Sequence, residues 1–281
     1  MKKILSLALA AVMAVLTLAA CGSAGGDVVK VIEVNLTEEE YAFGVDKAQP
    51  ELLASVNEII AEIQADGTFD AICNKYFGDG TPTAVTSAAL DENKDQLVVA
   101  TNAAFAPFEY TEGDKYYGID MEIAALIAER LNLELVISDM DFDAVCLAVG
   151  QHKCDIAMAG LTVKPDREEH VTFSTSYYSA SQKIITLADD TTFDACTDAA
   201  SVEAILKGLD KSTKIGVQNG TTGQFYIEGD ADWGFDGYEV ECVGYNNGSL
   251  AVQDLINGNI DYVIIDADPA TRIVENFNAI G

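Results

Sequence analysis

Short runs of apolar, often β-branched residues recur along the chain, separated by stretches in which apolar positions fall every three or four residues. The first pattern predicts strands over residues 29–34, 41–45, 97–101, 134–138, 155–160, 183–187, 214–218, 239–243 and 260–265. The second predicts a helix on Leu52, Val56, Ile59, Ile60 and Ile63, opened by Pro50 and stopped at Gly67. Ile119, Ile123, Leu126, Ile127 and Leu131 draw another apolar face between Gly118 and the strand at 134. Strands alternating with helices make a parallel or mixed sheet covered by helices, the α/β class. Residues 78–96, rich in Gly, Thr, Ser, Ala and Asp and without a sustained period, read as a linker between two well-patterned blocks.

The first residues stand apart from this alternation. Met1, Lys2 and Lys3 form a positive head, and residues 4–20 carry no charge, the organisation of an export signal. The stretch is short for a spanning helix, and no other apolar run is long enough to span. It ends at Leu18, Ala19, Ala20 and Cys21, which resembles the bacterial lipobox. That resemblance implies cleavage before Cys21, lipidation of Cys21 and retention at the outer face of the cell membrane.

With 281 residues, 49% of them hydrophobic, the chain has material for two lobes with a core each. Sixteen Lys and Arg stand against 46 Asp and Glu, a net charge of −30 that repels phosphate backbones and argues against a nucleic-acid partner. Beyond Cys21 the cysteines are Cys73, Cys146, Cys154, Cys196 and Cys242, with no CxxC pair and no zinc-like spacing to His152 or His170, so no metal site is expected. Cys146 with Cys154, or Cys196 with Cys242, can pair in an oxidising compartment or stay reduced as small buried hydrophobes. The motif GDADWGFDG at 229–237 suggests a calcium loop. Counted from Asp232, however, Gly234 replaces the third ligand and Val243 the terminal Glu, so it reads as a turn. Phosphate-loop, dinucleotide and GxSxG motifs are absent, and no cofactor is expected.

Four segments in register, LVVATNAAFAPFEYTEGDKYYGIDMEIAALIAERL, MDFDAVCLAVGQHKCDIAMAGLTVKPDREEHVTFSTSYY, KIGVQNGTTG and NGNIDYVIIDADPA, resemble the solute-binding proteins of polar amino-acid ABC transporters, bacterial family 3. The resemblance implies a two-lobed periplasmic-binding-protein type II fold, the Venus flytrap. It further implies a free amino acid as ligand, a membrane permease as partner, an extracytoplasmic location, a monomer and no catalysis. The segment EEEYAFGVDKAQPELLASVNEIIAEIQADGTFDAICNKYFG resembles the part that normally ends such proteins, yet here it comes first. The chain stops after IDYVIIDADPATRIVENFNAIG, where an ordinary member would continue into a strand like VKVIEV and then that tail. The expectation is a circular permutation, joined through residues 78–96. Residues 1–20 are then the signal, 21–27 the lipidated cysteine and spacer, 36–186 lobe 1, and 187–281 with 28–35 lobe 2.

An amino acid offers a carboxylate, an ammonium and a side chain, so a site for it needs a fixed cation with a donor fork, a fixed carboxylate and a shaped pocket. By the resemblance, Arg167 clamps the carboxylate with Thr162, the Gly160 backbone and Thr222. Asp266 takes the ammonium, and Phe105 and Phe142 wall the side chain. Without it, Arg167 is one charge in the run KPDREEH, Thr222 a helix-capping residue, Asp266 a turn residue before Pro269, and the phenylalanines core. Asn102 and Gln218 replace charged residues of several relatives, which favours an uncharged, glutamine-like ligand. Asp120 keeps a basic amino acid as the alternative. Crossings near residues 35–41 and 183–187 would serve as the hinge. Rival readings on the same fold are a periplasmic dehydratase and a receptor sensor domain.

Overall fold

A computed structural model describes residues 26–280; the expected signal over 1–20 and Cys21 lie outside them. The chain enters as β1 (Val29–Ile32) and passes through β2 (Glu39–Tyr41) into β3 (Gly44–Asp46), α1 (Pro50–Ala65) and α2 (Thr68–Phe77). After the segment 78–95 it forms β4 (Gln96–Thr101) and a small meander of β5 (Ala104–Phe105), β6 (Glu109–Glu112) and β7 (Lys115–Tyr117). Then come α3 (Ile119–Arg130), β8 (Glu134–Asp139), α4 (Phe142–Gly150), β9 (Ile156–Ala157), a single 3-10 turn at Arg167–Glu169, and β10 (Val171–Phe173). The remainder is β11 (Tyr178–Ala180), β12 (Gln182–Leu187), α5 (Ala199–Leu206), β13 (Lys214–Gln218), α6 (Thr222–Glu228), β14 (Glu241–Tyr245), α7 (Gly248–Ile256), β15 (Tyr262–Asp266) and α8 (Ala267–Ile280).

These elements build two sheets of the same design. Lobe 1 has the order β10-β3-β9-β4-β8, and lobe 2 the order β1-β12-β15-β13-β14. In each, three neighbouring strands run parallel (β9, β4, β8 and β15, β13, β14), one strand (β3, β12) pairs antiparallel beside them, and the edge strand (β10, β1) pairs antiparallel to that one. The parallel strands read as near-continuous apolar runs because helices cover both faces; Val99 and Ala100, like Val263, Ile264 and Ile265, are buried throughout. Between the lobes, β2 and β11 pair antiparallel, with Tyr178 opposite Tyr41, as a ribbon that crosses from one sheet to the other.

The helical periods translate directly. Val56, Ile59, Ile60 and Ile63 are the buried face of α1, with Pro50 in its first turn. Ile119, Ile123 and Ile127 are buried on α3. Other expectations shift. The strand over 41–45 divides at Ala42 and Phe43, where the chain passes from the ribbon into lobe 1. That over 155–160 shortens to β9, because Gly160 turns the chain with a positive φ of 54°. The meander β5–β7 was not expected: its residues are aromatic and polar without strict alternation. The crossing expected at 183–187 is instead β12, paired with β1 and β15, so lobe 2 begins near residue 182 rather than 187.

The linker is not a free tether. Val85 is buried and exchanges both backbone hydrogen bonds with Tyr116, at 2.8 and 3.0 Å, while the Ala88 amide donates to the Leu135 carbonyl at 2.8 Å. The Ser87 hydroxyl also accepts from the Ile137 amide at 2.8 Å. It lies on lobe 1 as an extended strap because its backbone meets two open strand edges, which composition does not reveal.

Helix α8 packs on β1, and Asn278 joins them. Its Oδ1 accepts from the Val28 and Val29 amides at 2.9 and 3.2 Å, and its Nδ2 donates to the Val29 carbonyl at 2.9 Å. The start of β1 and the end of α8 thus meet side by side. Asn278→Ala should lower unfolding free energy by about 1–2 kcal/mol in urea titration and speed amide exchange at Val28 and Val29, since it unpairs two donors and an acceptor.

Candidate functional site

The expected contact residues sit where the central strands end. Asn102 follows β4, Phe142 opens the helix after β8, Gly160 and Thr162 follow β9, Gln218 closes β13 and Asp266 closes β15. Carboxyl ends of parallel strands leave a crevice there, lined by the loops that leave the sheet. Here two crevices face one another.

Arg167 is 8% exposed. The Asp166 carboxylate accepts from its amide at 2.8 Å and starts the 3-10 turn that aims the side chain inward. The guanidinium then bridges the lobes. One nitrogen donates to the Thr162 carbonyl at 2.7 Å and another to the Gly220 carbonyl of lobe 2 at 2.9 Å, with the Phe142 ring 5.2 Å away. Gly220 has φ of 75°, and a Cβ there would stand 3.0 Å from that of Asp143 in lobe 1, so glycine is what lets the lobes approach.

Opposite Arg167, the Asp266 carboxylate is 5% exposed and accepts from the Tyr41 hydroxyl at 2.5 Å. Burial, reinforced by the neighbouring charge of Glu39, raises its pKa above the usual carboxylate range, while hydrogen bonds from Tyr41 and Gln182 act against that. Glu39 was not expected from the sequence. Its buried carboxylate accepts from the hydroxyls of Thr37 and Thr162, each at 2.6 Å, and from the Gln182 amide at 3.0 Å. The signal was present in the period of two that puts Glu39 and Tyr41 on one face of β2, but the segment EEEY reads only as the start of the tail-like block, with no residue of it singled out. Two buried carboxylates side by side favour a cation between them.

The remaining expected residues fall around this axis. Thr222, in the first turn of α6, donates to the Thr162 hydroxyl at 3.4 Å. Asn102 and Gln218 meet across the crevice, the Gln218 amide donating to Asn102 Oδ1 at 3.0 Å while Asn102 donates to the Met140 carbonyl at 2.7 Å. Among the described residues, the buried Gln218 Oε1, Gln182 Oε1 and Thr101 hydroxyl have no hydrogen-bond partner, so polar capacity remains here. Phe105 packs beside Gly160, where a Cβ would lie 3.0 Å from its ring. Cavities of about 310 Å³ beside Arg167 and Phe142 and about 720 Å³ behind the ribbon flank the cluster.

Asp120 and Gly160 bind each other. The Gly160 amide donates to Asp120 Oδ2 at 3.0 Å, and the Tyr177 hydroxyl to Oδ1 at 2.6 Å. Asp120 is fully buried with both oxygens engaged, so it supports the Gly160 loop, and the Gly160 amide is taken up by Asp120 rather than free for a ligand carboxylate. Burial pushes the Asp120 carboxyl up to about 7, and the adjacent, fully buried Glu109 is raised further by burial and by Asp120.

No group of His, Cys, Asp and Glu among the described residues could hold a metal ion, and no described helix is long and apolar enough to cross a membrane. The five described cysteines are free.

The sequence profile of the bacterial extracellular solute-binding proteins, family 3, matches residues 97–266. The chain belongs to that family. Among curated relatives, the arginine-binding extracellular protein ArtP of Bacillus subtilis is 33% identical over 109 residues, 39% of this chain and 43% of that protein. The ABC transporter arginine-binding protein 1 of Escherichia coli is 29% identical over 173 residues, 61% of this chain and 63% of its own length. The alignments thus span less than two thirds of these family members. Among solved structures, holo ArgBP from T. maritima matches with a TM-score of 0.54 at 31% identity, covering 67% of this chain and 77% of that one. An ancestral arginine-binding protein bound to glutamine gives 0.55 at 29%, covering 66% and 76%. The two-lobed type II fold of this family is the fold seen here.

Folded protein holds the Asp120 proton up to about pH 7, whereas an unfolded aspartate releases it near pH 4. The stabilisation this group gives is therefore full below about pH 4 and is lost as pH rises towards about 7. Asp120→Asn should flatten that part of the decline in melting temperature between about pH 4 and about pH 8, measured beside the wild type.

Proposed function

We propose that this chain is the extracytoplasmic, lipid-anchored substrate-binding protein of an ABC importer, and that it captures a polar L-amino acid by hinge closure and hands it to a membrane permease. The observation that carries this reading is a guanidinium and a carboxylate, Arg167 and Asp266, buried to over nine-tenths at one crevice and supplied by different lobes. A zwitterion bridging them stabilises the closed state over any open one, and a ligand shifts a hinge only by that difference. The ligand carboxylate goes to Arg167 with Thr162 and Thr222, and its ammonium to Asp266. Phe105 and Phe142 flank the side chain, and Asn102 and Gln218 read its tip. The anchor is Cys21, the partners are the permease and the membrane surface, and the protein acts as a monomer without catalysis or cofactor.

The neutral Asn102–Gln218 pair favours an amide side chain of glutamine size. Glu39 beside Asp266 supports a second reading, a basic amino acid, whose extra charge it would offset. The names of the arginine-binding relatives point the same way.

We also assign the chain a circular permutation. It is supported by the pairing of β1 beside α8 through Asn278, by the strap over 78–95 joining α2 to β4, and by the family profile beginning only at residue 97. The lipid then tethers lobe 2.

A thermal-shift screen against the twenty amino acids tests the binding assignment. One or a few polar amino acids at about a hundred times Kd should raise the melting temperature by roughly 5 °C, and Arg167→Ala and Asp266→Asn should abolish the shift. Affinity should weaken as pH falls through the raised Asp266 pKa, because a protonated carboxyl cannot hold the ammonium. No shift with any amino acid would remove the free-amino-acid assignment.

A further inference from the structure

The Asp- and Gly-rich motif at 229–237 has a use other than calcium. Asp230 Oδ1 accepts from the amides of Asp232 at 2.9 Å and Trp233 at 3.3 Å, and the bridge between Asp230 and Phe235 closes the turn. This fixes the carboxylate and leaves Oδ2 facing lobe 1. There it accepts from Lys164 Nζ at 2.7 Å. Lys164 is 2% exposed, and its ammonium stands 3.5 Å from the centre of the Phe225 ring on α6 and 3.1 Å from Asp166. The Lys164 charge in turn holds the Asp230 carboxyl below the usual range.

These partners differ in how they depend on the hinge. Asp166 lies two residues from Lys164 and accompanies it at any lobe separation. Asp230 and Phe225 belong to lobe 2 and reach the ammonium only when the lobes meet. Closing strips water from Lys164, which is costly unless a carboxylate and the ring face replace it. The pair therefore acts on the closed state alone. None of the three residues is among those assigned to the amino acid.

We propose that Lys164, Asp230 and Phe225 form a closure latch that holds the lobes together from outside the ligand site and sets how long a captured amino acid is kept. The proposal rests on the hinge-closure reading above. Asp230→Asn keeps the turn, since an amide oxygen still accepts from Asp232 and Trp233, but leaves Lys164 buried with less charge to meet it. Lys164→Met leaves the turn's own hydrogen bonds untouched.

Small-angle scattering and hydrogen exchange of the purified protein, in buffer and in a mixture of the twenty amino acids, test the latch. In at least one solution both variants should show a larger radius of gyration and exchange on the order of tenfold faster around residues 160–168 and 219–230, with α1 unaffected. The double variant should open no further than the single ones. Unchanged size and exchange in both solutions, or additive effects of the two substitutions, would overturn the latch. A wild type that the amino acids leave unaltered would count against the binding assignment instead, because the comparison in buffer judges the latch by itself.

Discussion

Two cations carried by lobe 1, Arg167 and Lys164, are buried between the lobes, and each finds an acceptor in lobe 2. A buried charge without a partner is too costly to keep, so the contact between lobes and the pairing of these charges are one event. Much of the crevice geometry follows. Gly220 must be a glycine for its carbonyl to come within reach of Arg167, and the Asp230 turn must hold its carboxylate outward for Lys164. Gln218 and Asn102 meet in the same closed arrangement.

The acidic side is organised by the ribbon. Tyr41 in β2 donates to Asp266 of lobe 2, Glu39 on the same face accepts from Thr162 of lobe 1, and Tyr178 opposite Tyr41 donates to Asp268 at 2.8 Å. The ribbon does more than connect the lobes, since its side chains also set the charge of the site. Beneath lies a second buried acid pair, Glu109 and Asp120, of which Asp120 accepts directly from the Gly160 amide and from the Tyr177 hydroxyl. Burial raises Asp266, Asp120 and Glu109, so their neutral forms help keep the region folded, and in the proposed function a ligand ammonium would restore the charged form of Asp266.

The proposed circular permutation changes the order of elements along the chain but not the packing they need. Strand β1 completes the lobe 2 sheet against β12 whether it precedes everything else or follows α8, because ladder pairing needs proximity and not covalent order. Asn278 supplies hydrogen bonds where those two segments meet, and the strap over 78–95 covers the edge of lobe 1 it runs along.

The local pattern alone determined the α/β class, the apolar faces of α1 and α3 and most central strands, because periodicity is something a sequence displays directly. The sequence marked Arg167, Thr162, Thr222 and Asp266 only through the resemblance of motifs in register to the family. It did not display Glu39, whose partner Thr162 is 123 residues away, nor the Lys164–Asp230 pair, 66 residues apart, because a charge run looks the same whether solvated or buried. Nor could it tell that Asp120 would turn inward to Gly160 and Tyr177, or that residues 78–95 would be strapped to strand edges. Those outcomes depend on which surfaces the tertiary structure brings together and how much water it removes, and only then does a carboxylate's environment, and with it its role, become fixed.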